Sequence, residues 1–167
     1  KESGAIFTIR LPLPSGELHS EVLSGAASIL REAPSEQASL EGLRILVVDD
    51  ETDALDLIGV ELAQHGAKVV GVASAAEALT ALEGVEFDLV ISDIGMPKTD
   101  GYELIRQIRK QEEGTSRKIP AVALTAYARV QDRMQAILAG FSTHVAKPVE
   151  AKELITVVAS LAGRLEP

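Results

Sequence analysis

Between Leu43 and Ala162, five short aliphatic runs alternate with five longer stretches of helical spacing, and that alternation leaves few folds open. The runs are "RILVVD", "KVVGVA", "DLVISD", "AVALTA" and "THVAK". Helices are expected over Asp53–His65, Ala75–Leu82, Gly101–Gln111, Ala128–Ala139 and Ala151–Ala162. Strands and helices in strict alternation build parallel sheets through crossover connections, with helices covering both faces. A strand buried on both faces needs a nearly continuous apolar run, and these runs have that character. They share a spacing but no residues, so no internal repeat is present. The predicted fold is α/β, a five-stranded parallel sheet that is doubly wound.

The stretch ahead of Leu43 follows a different pattern. In "AIFTIRLPLP", Phe7, Ile9 and Leu11 alternate with Ile6, Thr8 and Arg10, the period of a strand, closed by Pro12 and Pro14. Residues 15–42 are rich in Ser, Ala, Glu and Gly, as linkers are. Within them Val22, Leu23, Ala26, Ile29 and Leu30 have the spacing of a short amphipathic helix, weakened by Gly25 and the serines. The expected organisation is a terminal strand at 1–14, a linker at 15–42 and a domain at 43–165.

Composition excludes several classes of function. The chain has no cysteine, which removes disulfides, thiol catalysis and thiolate metal sites. Its formal charge of −9 argues against nucleic acid or an anionic membrane as a direct partner. No apolar run reaches the roughly 18 residues of a membrane span and no signal peptide opens the chain, so a cytoplasmic setting is expected. With 46% hydrophobic but only 3% aromatic residues, the core must be aliphatic.

In an open doubly wound sheet, ligands bind beyond the carboxyl ends of the strands. At those ends stand Asp49 and Asp50 after the first strand, Asp93 after the third, Thr125 after the fourth and Lys147 after the fifth. Two carboxylates about 4 Å apart repel by about 4 kcal/mol at an effective dielectric near 20. Three of them call for a cation, and all-oxygen ligands suit a hard ion such as magnesium better than zinc. A bound divalent ion also keeps carboxylates ionised, leaving one available as a nucleophile. Taken singly, each residue has a plainer role. Asp49 and Asp50 would cap the helix that follows, Asp93 would shape a turn, Thr125 would end a strand and Lys147 would be a solvated surface lysine.

Together, "LVVDDE", "VISDIGMPKTDGYELIRQIR", "IPAVALTAYA" and "GFSTHVAKPV" resemble the receiver domain of two-component response regulators over about residues 43–165. The resemblance implies a flavodoxin-like sheet of strand order 2-1-3-4-5. It also implies Asp93 as the phosphoacceptor, a nucleophile attacking the phosphoryl group of a phosphohistidine. Asp50 would ligate Mg2+ directly, Asp49 would assist, and the Gly95 backbone carbonyl would complete the protein ligands beside Asp93. Thr125 and Lys147 would each bind a phosphoryl oxygen. Pro148 is expected to follow a cis peptide as in the family, and Gly101 to provide a positive-φ turn before the third helix. His144 stands where the family often carries a switching Tyr or Phe, and a partly buried sheet histidine is the plainer alternative. Tyr127 and Gly95 occupy positions that influence phosphoryl lifetime in the family. His19 and His65 lack the surroundings of a phosphodonor.

The opening "KESGAIFTIRLPLP" is similar to the last strand of the ATP-binding domain of sensor histidine kinases. Followed by a linker and a receiver, it implies the C-terminal part of a hybrid histidine kinase, without nucleotide-binding boxes or a phosphohistidine helix of its own. The implied partners are a histidine kinase's phosphohistidine domain, in cis or not, or a histidine phosphotransfer protein. Two other classes remain open. An aspartate-nucleophile phosphohydrolase normally has a second Asp where this chain has Gly95, and a phosphate-independent interaction module would have lost site residues. A nucleotide-binding domain would want a glycine-rich first turn, and "VVDDETD" is the opposite.

Overall fold

The computed structural model describes residues 38–126 and 130–164. The expected terminal strand at 1–14, the possible helix at Val22–Leu30 and Tyr127 lie outside the described residues. Among the described residues the strands are β1 (Arg44–Val48), β2 (Lys68–Val72), β3 (Leu89–Asp93), β4 (Ala121–Thr125) and β5 (Thr143–Ala146). The helices are α1 (Thr52–Gln64), α2 (Ala75–Gly84), α3 (Gly101–Gln111), α4 (Val130–Ala139) and α5 (Ala151–Leu161). All pairings are parallel and the order is β2-β1-β3-β4-β5, the doubly wound arrangement expected.

Because side chains alternate along a strand, each central strand supplies two cores. Ile45, Val47, Leu89, Ile91, Val122 and Leu124 face Ile58 and Leu62 of α1 and Leu154 and Val158 of α5. Leu46, Val48, Val90, Ala121 and Ala123 face Ala78 of α2, Leu104, Ile105 and Ile108 of α3, and Ala136 of α4. Small residues on β4 toward the second layer leave room for the larger side chains of α3. Burial of this kind contributes roughly 25 cal/mol per Å² of apolar surface, so the aliphatic runs are the main source of stability.

Local signals set where helices begin. Ser74 and Glu77 form a reciprocal cap at α2: the Glu77 N–H donates to Ser74 Oγ at 3.3 Å and the Ala73 N–H donates to a Glu77 carboxylate oxygen at 3.1 Å. Asp100 caps α3 by accepting the Glu103 N–H at 2.7 Å. Three expectations need correction. β2 is an edge strand with Val70 40% exposed, not a strand buried on both faces. Leu40, in the stretch read as linker, is fully buried in the α1–α5 layer, and its N–H donates to the His65 carbonyl at 2.9 Å. Gly101 is not among the positive-φ residues; glycine is required because a Cβ there would overlap the Asp93 carbonyl. Among the described residues no helix is long and apolar enough to cross a membrane.

Candidate functional site at the strand ends

The order of the strands decides which residues meet. β1 and β3 are neighbours, so the acids after β1 lie beside the acid ending β3; β4 and β5 follow, bringing Thr125 and Lys147 to the same edge. One oxygen from each of Asp49, Asp50 and Asp93 can be chosen so that all lie within 4.8 Å of one another. Asp49 is fully buried and Asp93 is 8% exposed, whereas Asp50 faces solvent. Like charges held this closely out of water need a counter-charge.

Lys147 supplies it. Its Nζ donates to Asp49 Oδ2 at 2.8 Å and lies 3.2 Å from Asp93 Oδ1, so one ammonium bridges two acids from different strands. Burial alone would lower the Lys147 pKa, but the hydrogen bond to Asp49 and the charges of Asp93 and Asp49 outweigh it, and the net shift is upward. The backbone at this strand end joins β5 to β4. The Lys147–Pro148 peptide is cis, as expected, and the Lys147 N–H donates to the Thr125 carbonyl at 2.8 Å.

The acids differ in what remains open to a ligand. Asp49 accepts the Glu51 N–H on Oδ1 at 3.0 Å and Lys147 on Oδ2, so both of its oxygens are engaged by protein. Neither Asp49 nor Asp50 caps α1, whose N-cap is Glu51. Gly95 sits beside Asp93, with a Cβ added there coming 3.5 Å from Asp93 Oδ2. A set of clustered carboxylates fits a hard divalent cation. Of the three acids Asp50 is the one exposed to solvent, while Asp49 has both oxygens engaged by protein and Asp93 has one beside Lys147.

Thr125, 4% exposed, ends β4 at the same edge. His144 is set back from the cluster, paired in register with Ala123 on β4; it is half-buried, and its Nδ1 has no hydrogen-bond partner among the described residues. His65 ends α1, with Nδ1 2.9 Å from the Glu61 carbonyl oxygen, a helix-end role. Sequence reading passed over Ser92. It is 1% exposed and donates through Oγ to the Asp93 carbonyl at 2.8 Å. The available signal was a single hydroxyl in an otherwise aliphatic buried run.

A model of the response regulator receiver domain matches residues 45–159. The chain belongs to that family. Its receiver is 44% identical over 120 residues to an uncharacterised 14.6 kDa protein of Leptolyngbya boryana, covering 72% of this chain and 90% of the relative. Against the sensor histidine kinase GacS of Pseudomonas protegens it is 37% identical over 172 residues; the match covers 95% of this chain but only 18% of the kinase. Among solved structures, it superposes with a TM-score of 0.67 and 25% identity on the complex of the Saccharomyces cerevisiae histidine phosphotransfer protein Ypd1 with the receiver domain of its downstream response regulator Ssk1, covering 74% of this chain and 92% of that one. The receiver reading of the sequence and its flavodoxin-like fold therefore stand, and the domain is one of two-component signalling.

Proposed function

We propose that this receiver is a phosphoacceptor, taking a phosphoryl group from a phosphohistidine onto Asp93 with Mg2+ bound, within a hybrid sensor histidine kinase. The observation that carries the reading is the Lys147 ammonium bridging Asp49 and Asp93 at 2.8 and 3.2 Å. A buried acid at a strand end, held by a lysine and facing a cation-ready carboxylate, is equipped to meet a dianionic phosphoryl group.

In the transfer, an Asp93 carboxylate oxygen attacks phosphorus and the P–N bond to the donor imidazole breaks. The imidazole nitrogen keeps the bonding pair and takes up a proton. Catalysis is positioning and charge neutralisation. Lys147 exchanges its Asp93 contact for a phosphoryl oxygen, and the Thr125 hydroxyl donates to another. Asp50, Asp93 and the Gly95 carbonyl would hold Mg2+, with Asp49 assisting, and the ion supplies positive charge for the phosphoryl oxygens. Gly95 and Tyr127 would tune how long the acyl phosphate survives.

The hybrid-kinase context rests on the match to GacS. Its 95% cover of this chain takes in residues ahead of 45, where the receiver match begins. The donor is then the kinase's own phosphohistidine domain or a histidine phosphotransfer protein of the kind found with the yeast neighbour.

Incubating the intact chain with Mg2+ and acetyl phosphate tests the reading. The expected product is a single hydroxylamine-sensitive acyl phosphate that is lost in Asp93→Asn and does not form in excess chelator. Full labelling of Asp93→Asn would overturn the assignment of the acceptor. Continuous phosphate release would instead indicate a hydrolase, and no reaction a passive interaction module.

A further inference from the structure

We infer that Ser92 is a positioning residue for the Asp93 nucleophile, acting through the Asp93 backbone carbonyl. The inference rests on the phosphoacceptor role of Asp93 and adds a residue to it. Alternation along β3 turns Ser92 to the same face as Val90, toward the α2–α4 layer, and Asp93 to the other. At 1% exposure the Ser92 hydroxyl meets no solvent, and it donates to the Asp93 carbonyl at 2.8 Å.

The strand ladder explains why that carbonyl needs a donor. Asp93 is in register with Leu124 of β4, but it is the Ile94 N–H that bonds the Leu124 carbonyl, so the Asp93 carbonyl turns to the β1 side, where pairing ends at Val48 and Ser92. A buried carbonyl left without a hydrogen bond is costly. Here the side chain of the preceding residue does what the neighbouring strand does elsewhere. The groups that follow are fixed just as firmly: the Ile94 N–H donates to the Leu124 carbonyl at 3.1 Å, and the Gly101 N–H to the Ile94 carbonyl at 3.1 Å. Gly101 itself lies so close to the Asp93 carbonyl that no Cβ fits between them.

The peptide following Asp93 is thus clamped between a strand hydroxyl and the first residue of α3. Its orientation sets the direction of the Asp93 Cα–Cβ bond and the path to Gly95 two residues on. Nucleophilic attack is sensitive to such placement, with a misplacement of about 1 Å costing on the order of 100-fold in rate. A hydroxyl that only satisfied itself could be replaced without kinetic consequence; one that orients the nucleophile could not.

Threonine and valine at position 92 have nearly the same shape and differ by the hydroxyl, so they separate the two roles. The rate of Asp93 phosphorylation is measured in the full chain across concentrations of phosphoramidate with saturating Mg2+. Ser92→Thr should stay within about threefold of the parent, while Ser92→Val and Ser92→Ala fall about tenfold in maximal rate with the half-saturating concentration unchanged. Val158→Ala, a core truncation on α5 away from the site, should lower the melting temperature and leave the rate alone. Equal rates for the Thr and Val variants, or an Ala variant at the parental rate, would overturn the role of Ser92. Absence of phosphorylation in the parent chain would instead overturn the phosphoacceptor reading.

Discussion

Lys147 carries the only amine within bonding reach of Asp49 and Asp93 among the described residues, and its titration therefore leaves a mark on stability. Its pKa is raised in the folded chain against the opposing effect of burial, by Asp49 and Asp93. For a base with a raised folded-state value, the stabilisation is complete below the unfolded pKa of about 10.4 and is lost as pH climbs through the folded value. The difference in melting temperature between the parent and Lys147→Met should accordingly be constant from about pH 7 to pH 9.5 and shrink above about pH 10.4. Tyr102, raised by burial and by the charges of Asp132 and Asp100, titrates in the same direction but is common to both proteins and cancels in the difference. A difference that instead disappeared between pH 7 and 9 would show that the bridge does not stabilise the fold. At this scale the acids, Thr125 and Lys147 were legible because each terminates an aliphatic run, and strand ends converge in this topology. What Gly101 does was not legible: a left-handed turn and a close backbone approach both ask for glycine, and only coordinates distinguish them.

Elements are easier to find than to place. The aliphatic runs announced all five strands, and α3 has the bounds expected of it, Gly101–Gln111. "KVVGV" reads as a buried strand as convincingly as "RILVV", yet β2 ends the sheet with one side unpaired and Val70 exposed. Nothing in its composition reports how many neighbours it has. Leu40 shows the converse. It stands apart from the helically spaced residues earlier in that stretch and extends no periodicity, but its backbone is tied to the end of α1 and its side chain is fully buried. The turn after α1 reinforces this junction: Gly66 has φ 94°, and a Cβ there would come within 3.0 Å of the Glu41 backbone. Leu40→Ala should therefore behave as a core truncation, lowering unfolding free energy by about 2–5 kcal/mol in denaturant titrations. A loss below about 0.5 kcal/mol, the range of surface substitutions, would assign Leu40 back to the linker.

At the scale of the molecule, the phosphoacceptor role proposed for Asp93 carries an expectation for the neighbouring strands. A phosphoryl group on Asp93 places roughly two negative charges between Thr125 and Lys147, drawing both by charge-assisted hydrogen bonds. These residues are already coupled, since the Lys147 N–H donates to the Thr125 carbonyl at 2.8 Å. Movement at the end of β4 therefore reaches the end of β5, and His144 lies on that strand three residues before Lys147. Its buried Nδ1 has no hydrogen-bond partner among the described residues, so on that atom a change of ring orientation breaks no bond to them. The expected response is a shift in a pre-existing two-state equilibrium rather than a new fold. Beryllofluoride with Mg2+ imitates the phosphoryl group on Asp93 and allows a steady-state comparison of amide resonances. Shifts should appear at Asp49, Asp50 and Asp93, continue through Thr125 to Leu138, and include His144, while Leu62 and Ala63 near the end of α1 stay in place. Shifts confined to the three acids would make the domain a relay or sink for phosphoryl groups without a conformational output, because the link between β4 and β5 would then transmit nothing.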